Sequence, residues 1–334
     1  IGCFYGTAQI GDSFKTLTKY DDLILVALIL PIFSQTKTRL YGQYAFMSAM
    51  VVTLALSYLI WLGAFNNITL FSDRLPDNPV VFKLHITHGI LMGFVAFMFA
   101  VYALNTSGKW QLLMLALSIL AACNVLLMTQ GRTGYMVIMA LGLYLTFSFF
   151  HWRNLLLGLG LVITASSMFY ISSPKIQSRI ALTVHEAQSW KPMQGNNEAS
   201  SIGTRMDYYT NTFKIILKNP LLGVGTGGFE AAYAKEIAGT SMAPSNNPHN
   251  QFLLFWAQTG ILGLSSFLIL LAVAWQNATR LPTITETMLA RGILITITMG
   301  CLFNSLLLDH TEGLFFAWFF GLLFAGLPKE NKKL

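Results

Sequence analysis

Three side chains, far apart along the chain, have the types and settings for group transfer. Arg132 stands in Gln130-Gly131-Arg132-Thr133-Gly134-Tyr135, at the start of an apolar run. An arginine so near hydrocarbon is costly unless it snorkels or is paired. Snorkelling is the plain alternative, but the flanking glycines allow a ligand close to the backbone, which suits phosphate. Arg205 lies near the start of an amphipathic segment, in Gly203-Thr204-Arg205-Met206-Asp207-Tyr208. Its planar fork fits phosphate oxygens, and a helix N-terminus adds favourable potential; a solvated surface arginine is the competing explanation. His249 sits in Asn246-Asn247-Pro248-His249-Asn250, directly before another apolar run. Asn247 reads as a helix cap, Pro248 as the first helical residue and His249 as part of the first turn. There the helix dipole favours a neutral ring that can take a proton from a hydroxyl. The alternative is a polar residue marking the membrane boundary.

Other polar groups are less specific. Asp309, His310 and Glu312 occupy a turn between the last two apolar runs, where Asp309 can orient His249 or an arginine, or simply satisfy turn amides. His85 and His88 have a spacing compatible with metal ligation, but no carboxylate or third histidine accompanies them. The acids of the polar stretch 173–247 (Glu186, Glu198, Asp207, Glu230, Glu236) are dispersed, whereas Mg²⁺ or Mn²⁺ needs gathered oxygen ligands. No metal and no cofactor is therefore expected. There is no Walker loop and no serine or cysteine nucleophile signature. Lys214 and Lys218 read as a solvated or headgroup-facing stripe.

The elements that must position these groups are membrane helices. Of the 334 residues, 54% are apolar and 10% are charged, against about 25% charged in soluble domains. Long, nearly uncharged runs predict spans at 22–35, 42–65, 81–104, 110–129, 133–150, 154–172, 248–276, 287–308 and 313–327. The fold class is all-α: a polytopic helical integral membrane protein with one large helical loop. Cys3, Cys123 and Cys301 have no near neighbours, which argues against a disulfide framework or a zinc site. The net charge of +7 is spread over membrane-flanking loops. That distribution fits anionic lipid or a phosphorylated substrate, and no nucleic acid.

Sidedness follows from basic residues in the short loops. Lys37, Arg39, Lys109, Arg153, Arg280, Arg291, Lys329, Lys332 and Lys333 outnumber Lys15, Lys19, Arg74, Lys83 and Arg132 on the opposite side. The positive-inside rule then puts the C-terminus in the cytoplasm and 173–247 outside. Three regions result: spans over 1–172, an external helical loop over 173–247, and spans with a short cytoplasmic tail over 248–334. Ile1 falls outside, and the expectation is that further spans precede it. Within the loop, 175–190 is amphipathic. Residues 203–218 place Met206, Tyr209, Phe213, Ile216 and Leu217 along one stripe, Asn219-Pro220 ends that helix, and Gly223, Gly225, Gly227 and Gly228 bend the chain before a short helix at 229–237.

Taken in order, Gly131-Arg132-Thr133-Gly134-Tyr135, Arg205, Asn219-Pro220-Leu221-Leu222-Gly223-Val224-Gly225, Asn247-Pro248-His249-Asn250-Gln251-Phe252-Leu253-Leu254 and Gln258-Thr259-Gly260-Ile261-Leu262-Gly263-Leu264 resemble the superfamily of bacterial O-antigen ligases, O-antigen polymerases and protein O-oligosaccharyltransferases. The resemblance runs over 20–327 and is strongest over 130–264. It implies a GT-C-like membrane fold with one large periplasmic loop, in the bacterial inner membrane, and an active site facing the periplasm. It further implies metal-independent, inverting transfer of an O-antigen glycan from undecaprenyl pyrophosphate to a sugar hydroxyl of lipid A–core. The motifs carry Arg132 and Arg205 onto the pyrophosphate, His249 onto the acceptor hydroxyl, and Asp309 into a supporting position. The ligase branch is preferred on the compact Gly-Arg-Thr-Gly-Tyr motif. An O-antigen polymerase or a protein O-oligosaccharyltransferase shares the chemistry, and a non-enzymatic transporter of lipid-linked glycan is the reading from a different class.

Overall fold

The computed structural model describes residues 2–64, 77–82, 84–149, 174–191 and 201–328, with isolated positions between 160 and 171. Among these residues there are helices and turns and no strands, in the order α1 (Gly2–Tyr5), α2 (Ile10–Thr18), α3 (Ile24–Ile32), α4 (Thr36–Trp61), α5 (His85–Leu104), α6 (Gly108–Cys123), α7 (Arg132–Phe149), α8 (Pro174–Ser189), α9 (Ser201–Lys218), α10 (Phe229–Glu236), α11 (Gln251–Asn277), α12 (Ile284–Phe303) and α13 (His310–Phe324). Among the described residues, five helical stretches are long and apolar enough to cross a bilayer: Thr36–Trp61, His85–Leu104, Gly108–Met128, Gln251–Arg280 and Ile284–Phe303, with His310–Phe324 a shorter apolar helix. Helices satisfy their own backbone groups, which a hydrocarbon solvent demands. The protein is an all-α polytopic membrane protein.

Several predicted spans change on inspection. The one at 22–35 shrinks to the nine residues of α3, short of hydrocarbon thickness as a helix. The one at 287–308 stops at Phe303, because Asn304 and Ser305 leave the helix before a 3₁₀ turn at Leu306–Leu308. Most of 154–172 lies outside the described residues.

The chain divides into two compact units. One comprises Leu23–Val162, Val273–Gly300 and Leu314–Leu334. Here α5 is apolar on all sides from Gly89 onward and buried over most of its length, with Ile90, Met92, Phe94, Val95 and Met98 inaccessible. Gly89 of α5 meets Gly134 of α7 backbone to backbone, where a methyl on Gly134 would lie 2.9 Å from the Gly89 Cα. Such small-residue contacts let spanning helices approach closely. Phe46, Phe94, Phe315 and Phe319 interlock edge to face, and Arg39 is buried in a 2.7 Å ion pair with Glu286.

The other unit comprises Ile1–Asp22, Ile163–Ala272 and Cys301–Gly313. Its core joins Ile215, Ile216, Phe229, Tyr233, Ile237 and Met242 with Leu254 and Ala257 of α11. The predicted stripe on α9 is rotated. Phe213 and Leu217 are exposed, and Asp207, Asn211, Thr212, Ile215 and Ile216 face inward. Burial of polar residues is tolerated because each finds a partner: Trp190 Nε1 donates to Asp207 at 2.9 Å, and Asn211 reaches the Met242 sulfur at 3.4 Å. Spanning helix α11 is broken at Gly260, whose φ is 66°. The loop 219–228 fills the break: Val224 and Gly225 N–H donate to the carbonyls of Ala257 and Gln258 at 2.8 Å, and Ile261 N–H donates to Pro220 O at 3.0 Å.

Candidate functional site

Helix α11 starts later than the sequence suggested. Asn250, not Asn247, is the cap: its Oδ1 accepts from Leu253 N–H at 3.0 Å, while its Nδ2 donates to Leu302 O at 3.0 Å. His249 therefore lies outside the helix, in a left-handed bend with φ 52°. Asn247 Oδ1 holds the bend by accepting the His249 N–H at 2.9 Å. Histidine is among the few non-glycine types that enter this region, and such strained positions gather at functional sites.

The bend aims the imidazole at Asn304. His249 Nδ1 lies 3.0 Å from Asn304 Oδ1, and the same Oδ1 accepts the Ser305 N–H at 3.1 Å. Because a backbone N–H donates to it, that atom is the carbonyl oxygen and not the amide nitrogen. The ring must then donate from Nδ1, which leaves the lone pair of a neutral imidazole on Nε2. This is the tautomer a general base requires. The bond goes to Asn304, where the sequence had offered Asp309. Asn304 is buried, so water does not compete for the contact.

Helix α9 supplies the next wall. Tyr208 stacks on the His249 ring at 5.5 Å with 22° between the planes. The Tyr209 hydroxyl lies 3.4 Å from His249 O and 3.3 Å from Leu302 O. Arg205 is three and four residues ahead of these tyrosines, hence on their face of the helix. Burial raises the Tyr209 phenol above its ordinary value, while the Arg205 charge and a hydrogen bond with Asn250 pull it back. Arg205 and His249 thus belong to one neighbourhood, linked through the tyrosine pair. Sequence reasoning missed Tyr208, Asn250 and Asn304. The signal for Asn304 was available: an amide inside an otherwise apolar run demands a partner.

Asp309 caps α13, with its N–H on Leu306 O at 3.2 Å and its carbonyl accepting from Gly313 at 2.9 Å. His310 pairs instead with buried Asp22 at 2.8 Å. Arg132 belongs to the other unit, as the first residue of α7. Its Nη1 is buried and has no hydrogen-bond partner among the described residues. The approach to it is held by Gln130 N–H on Asn78 Oδ1 at 3.0 Å and by Tyr135 OH on Thr129 O at 2.8 Å. Gly131 abuts the His85 carbonyl, which a methyl would meet at 3.0 Å. A buried, unpartnered guanidinium nitrogen at a helix N-terminus suits an anion. In the His85/His88 pair, His88 accepts from Val81 N–H at Nδ1 and donates to Asn124 Oδ1 at Nε2, so both of its ring nitrogens are used within the protein. Among the described residues no three His, Cys, Asp or Glu side chains gather as metal ligands.

The fold is that of a multi-pass, all-α membrane protein, and the candidate site sets a hydrogen-bonded imidazole in one unit and an arginine with a buried guanidinium nitrogen in the other. Comparison with known families makes this specific. The family model described as O-Antigen ligase matches residues 113–268, a stretch that contains Arg132, Arg205 and His249. A curated relative from Haemophilus influenzae, described as an uncharacterized protein, is 26% identical over 147 residues. The match covers 42% of this chain and only 36% of that relative.

Proposed function

We propose that the protein is an inverting, metal-independent glycosyltransferase that moves an O-antigen glycan from undecaprenyl pyrophosphate to a sugar hydroxyl of lipid A–core at the periplasmic face of the inner membrane. The observation that carries the base assignment is the double use of Asn304 Oδ1, which fixes the His249 tautomer. His249 Nε2 takes the acceptor proton as the acceptor oxygen bonds to the anomeric carbon. The carbon–oxygen bond to the diphosphate breaks on the opposite face, and undecaprenyl pyrophosphate leaves. Arg205 and Arg132 stabilise the charge growing on the departing diphosphate, and Asp309 supports from just before α13. The buried Nη1 of Arg132, without a partner among the described residues, favours this role over simple snorkelling.

The test is transfer by the purified chain in lipid, using lipid-linked glycan as donor, lipid A–core as acceptor, and a chelator throughout. Product is expected with chelator present. His249→Ala is expected to lose about 10²–10⁴ in rate while remaining folded in the membrane. Wild-type transfer by that variant would remove His249 as the base, and movement of donor without glycosidic bond formation would make the protein a transporter. In cells, deletion that leaves bare lipid A–core beside long lipid-linked polymer fits a ligase; lipid A–core capped with a single repeat points to a polymerase.

A further inference from the structure

Helix α2 is amphipathic with its apolar side outward. Ile10, Phe14 and Leu17 follow i, i+4, i+7 spacing and form one narrow stripe, yet they are 59%, 51% and 49% exposed. The face docked on the protein is small and polar. Ser13 is fully buried, its hydroxyl donating to Thr226 O at 2.8 Å, and Gly227 fits against the Ser13 Cα and the Thr16 hydroxyl. Asp12 and Lys15 lie on the side opposite the apolar stripe. In the adjoining α1, Phe4 is 81% exposed. Water is a poor solvent for such a surface.

Its position identifies a better one. Helices α1 and α2 are fastened to the loop 219–228: Thr7 N–H donates to Val224 O at 3.0 Å, Thr226 N–H donates to Gly2 O at 3.2 Å, and Tyr5 OH donates to Leu222 O. That loop sits in the break of spanning helix α11, at residues 257–261. At 1.5 Å per residue, these lie about 9–15 Å beyond Gln251 along the helix. Just after α2, the Tyr20 hydroxyl accepts from Gln251 Nε2 at 3.2 Å and its ring packs on Phe255 at 5.9 Å. The two short helices thus flank the first turns of a spanning helix, where water gives way to acyl chain. The exposed Leu221 and Leu222 of the loop extend the same apolar surface.

We propose that α1, α2 and the loop 219–228 form an interfacial collar embedded in the lipid leaflet at the entry end of α11, with Ile10, Phe14 and Leu17 at the acyl boundary and Lys15 and Lys19 reaching anionic headgroups. Stripe, polar docking face and lysines on the opposite side match a helix lying in the plane of a bilayer surface. The collar would grip the leaflet from which a lipid-linked substrate enters. It depends only on α11 spanning the bilayer and holds whichever glycan is transferred.

Depth measurement tests it. Single cysteines at Phe14→Cys, Leu17→Cys and Asp12→Cys, in a full chain with Cys3, Cys123 and Cys301 replaced by alanine, are labelled with a nitrobenzoxadiazole fluorophore. The protein is then reconstituted in phosphatidylethanolamine–phosphatidylglycerol vesicles. Lipids brominated on the acyl chain are expected to lower emission at positions 14 and 17 by about twofold or more, with position 12 quenched by aqueous iodide instead. Iodide quenching at 14 and 17 equal to that at 12 overturns the collar. So does shielding from both quenchers, which would mean that protein covers the stripe. Benzophenone at position 14 gives an independent answer: crosslinks to phospholipid support the assignment, and crosslinks to protein refute it.

Discussion

A single amide oxygen governs the candidate base. Asn304 Oδ1 accepts from both the Ser305 N–H and the His249 ring, so replacing it removes the information that sets the tautomer. Asn304→Leu is expected to lower turnover by about tenfold to a hundredfold, a fraction of what the base itself contributes, with little change in KM. Asn304→Asp keeps an acceptor at the same place and should recover most of that loss. A purely structural role would instead show equal loss of folded protein in both variants, read by size-exclusion profile. The sequence pointed to His249 and Arg205 by residue type. It could not point to Asn304, because that depends on which residues after α12 meet the bend at 247–250.

At the scale of elements, the break in α11 is the costly feature and the informative one. Gly260 has φ 66°, and an added methyl would fall within 2 Å of the Leu221 carbonyl oxygen. Gly260→Ala is expected to destabilise the protein by about 3 kcal/mol or more, through strain and the expulsion of the loop from the break. Thermal unfolding in detergent measures it. The packing of α10 makes a second prediction. Burial pushes the Tyr233 phenol from its ordinary 10.0 up to about 12. Between those values the unfolded chain loses this proton and the folded chain keeps it, so stability is intact below pH 10 and declines as pH rises toward 12. Melting temperature should hold from pH 7 to 9 and fall above 10, and Tyr233→Phe should flatten that fall.

For the whole molecule, the question is whether Arg132 and Arg205, which belong to separate compact units, act on one diphosphate. Each arginine alone should be worth about 10²–10³ in rate as a preorganised stabiliser of leaving-group charge. If both serve the same group, the double replacement by alanine should cost less than the product of the single losses, a coupling of about 0.5–3 kcal/mol in a double-mutant cycle. Strict additivity would assign the arginines to independent tasks. The family match covers 113–268 and so includes both arginines and the histidine, but ends before Asn304.

Composition and periodicity alone determined that this is a helical membrane protein with one long polar excursion, since hydrocarbon admits few other ways to satisfy a backbone. Residue type and local setting alone singled out Arg132, Arg205 and His249 as candidates. Only tertiary structure decided the rest. A left-handed bend rather than a helical turn carries His249, its Nδ1 meets Asn304, and a glycine loop completes a broken helix. Each depends on contacts between residues far apart along the chain, and such contacts leave no period in the sequence from which to read them.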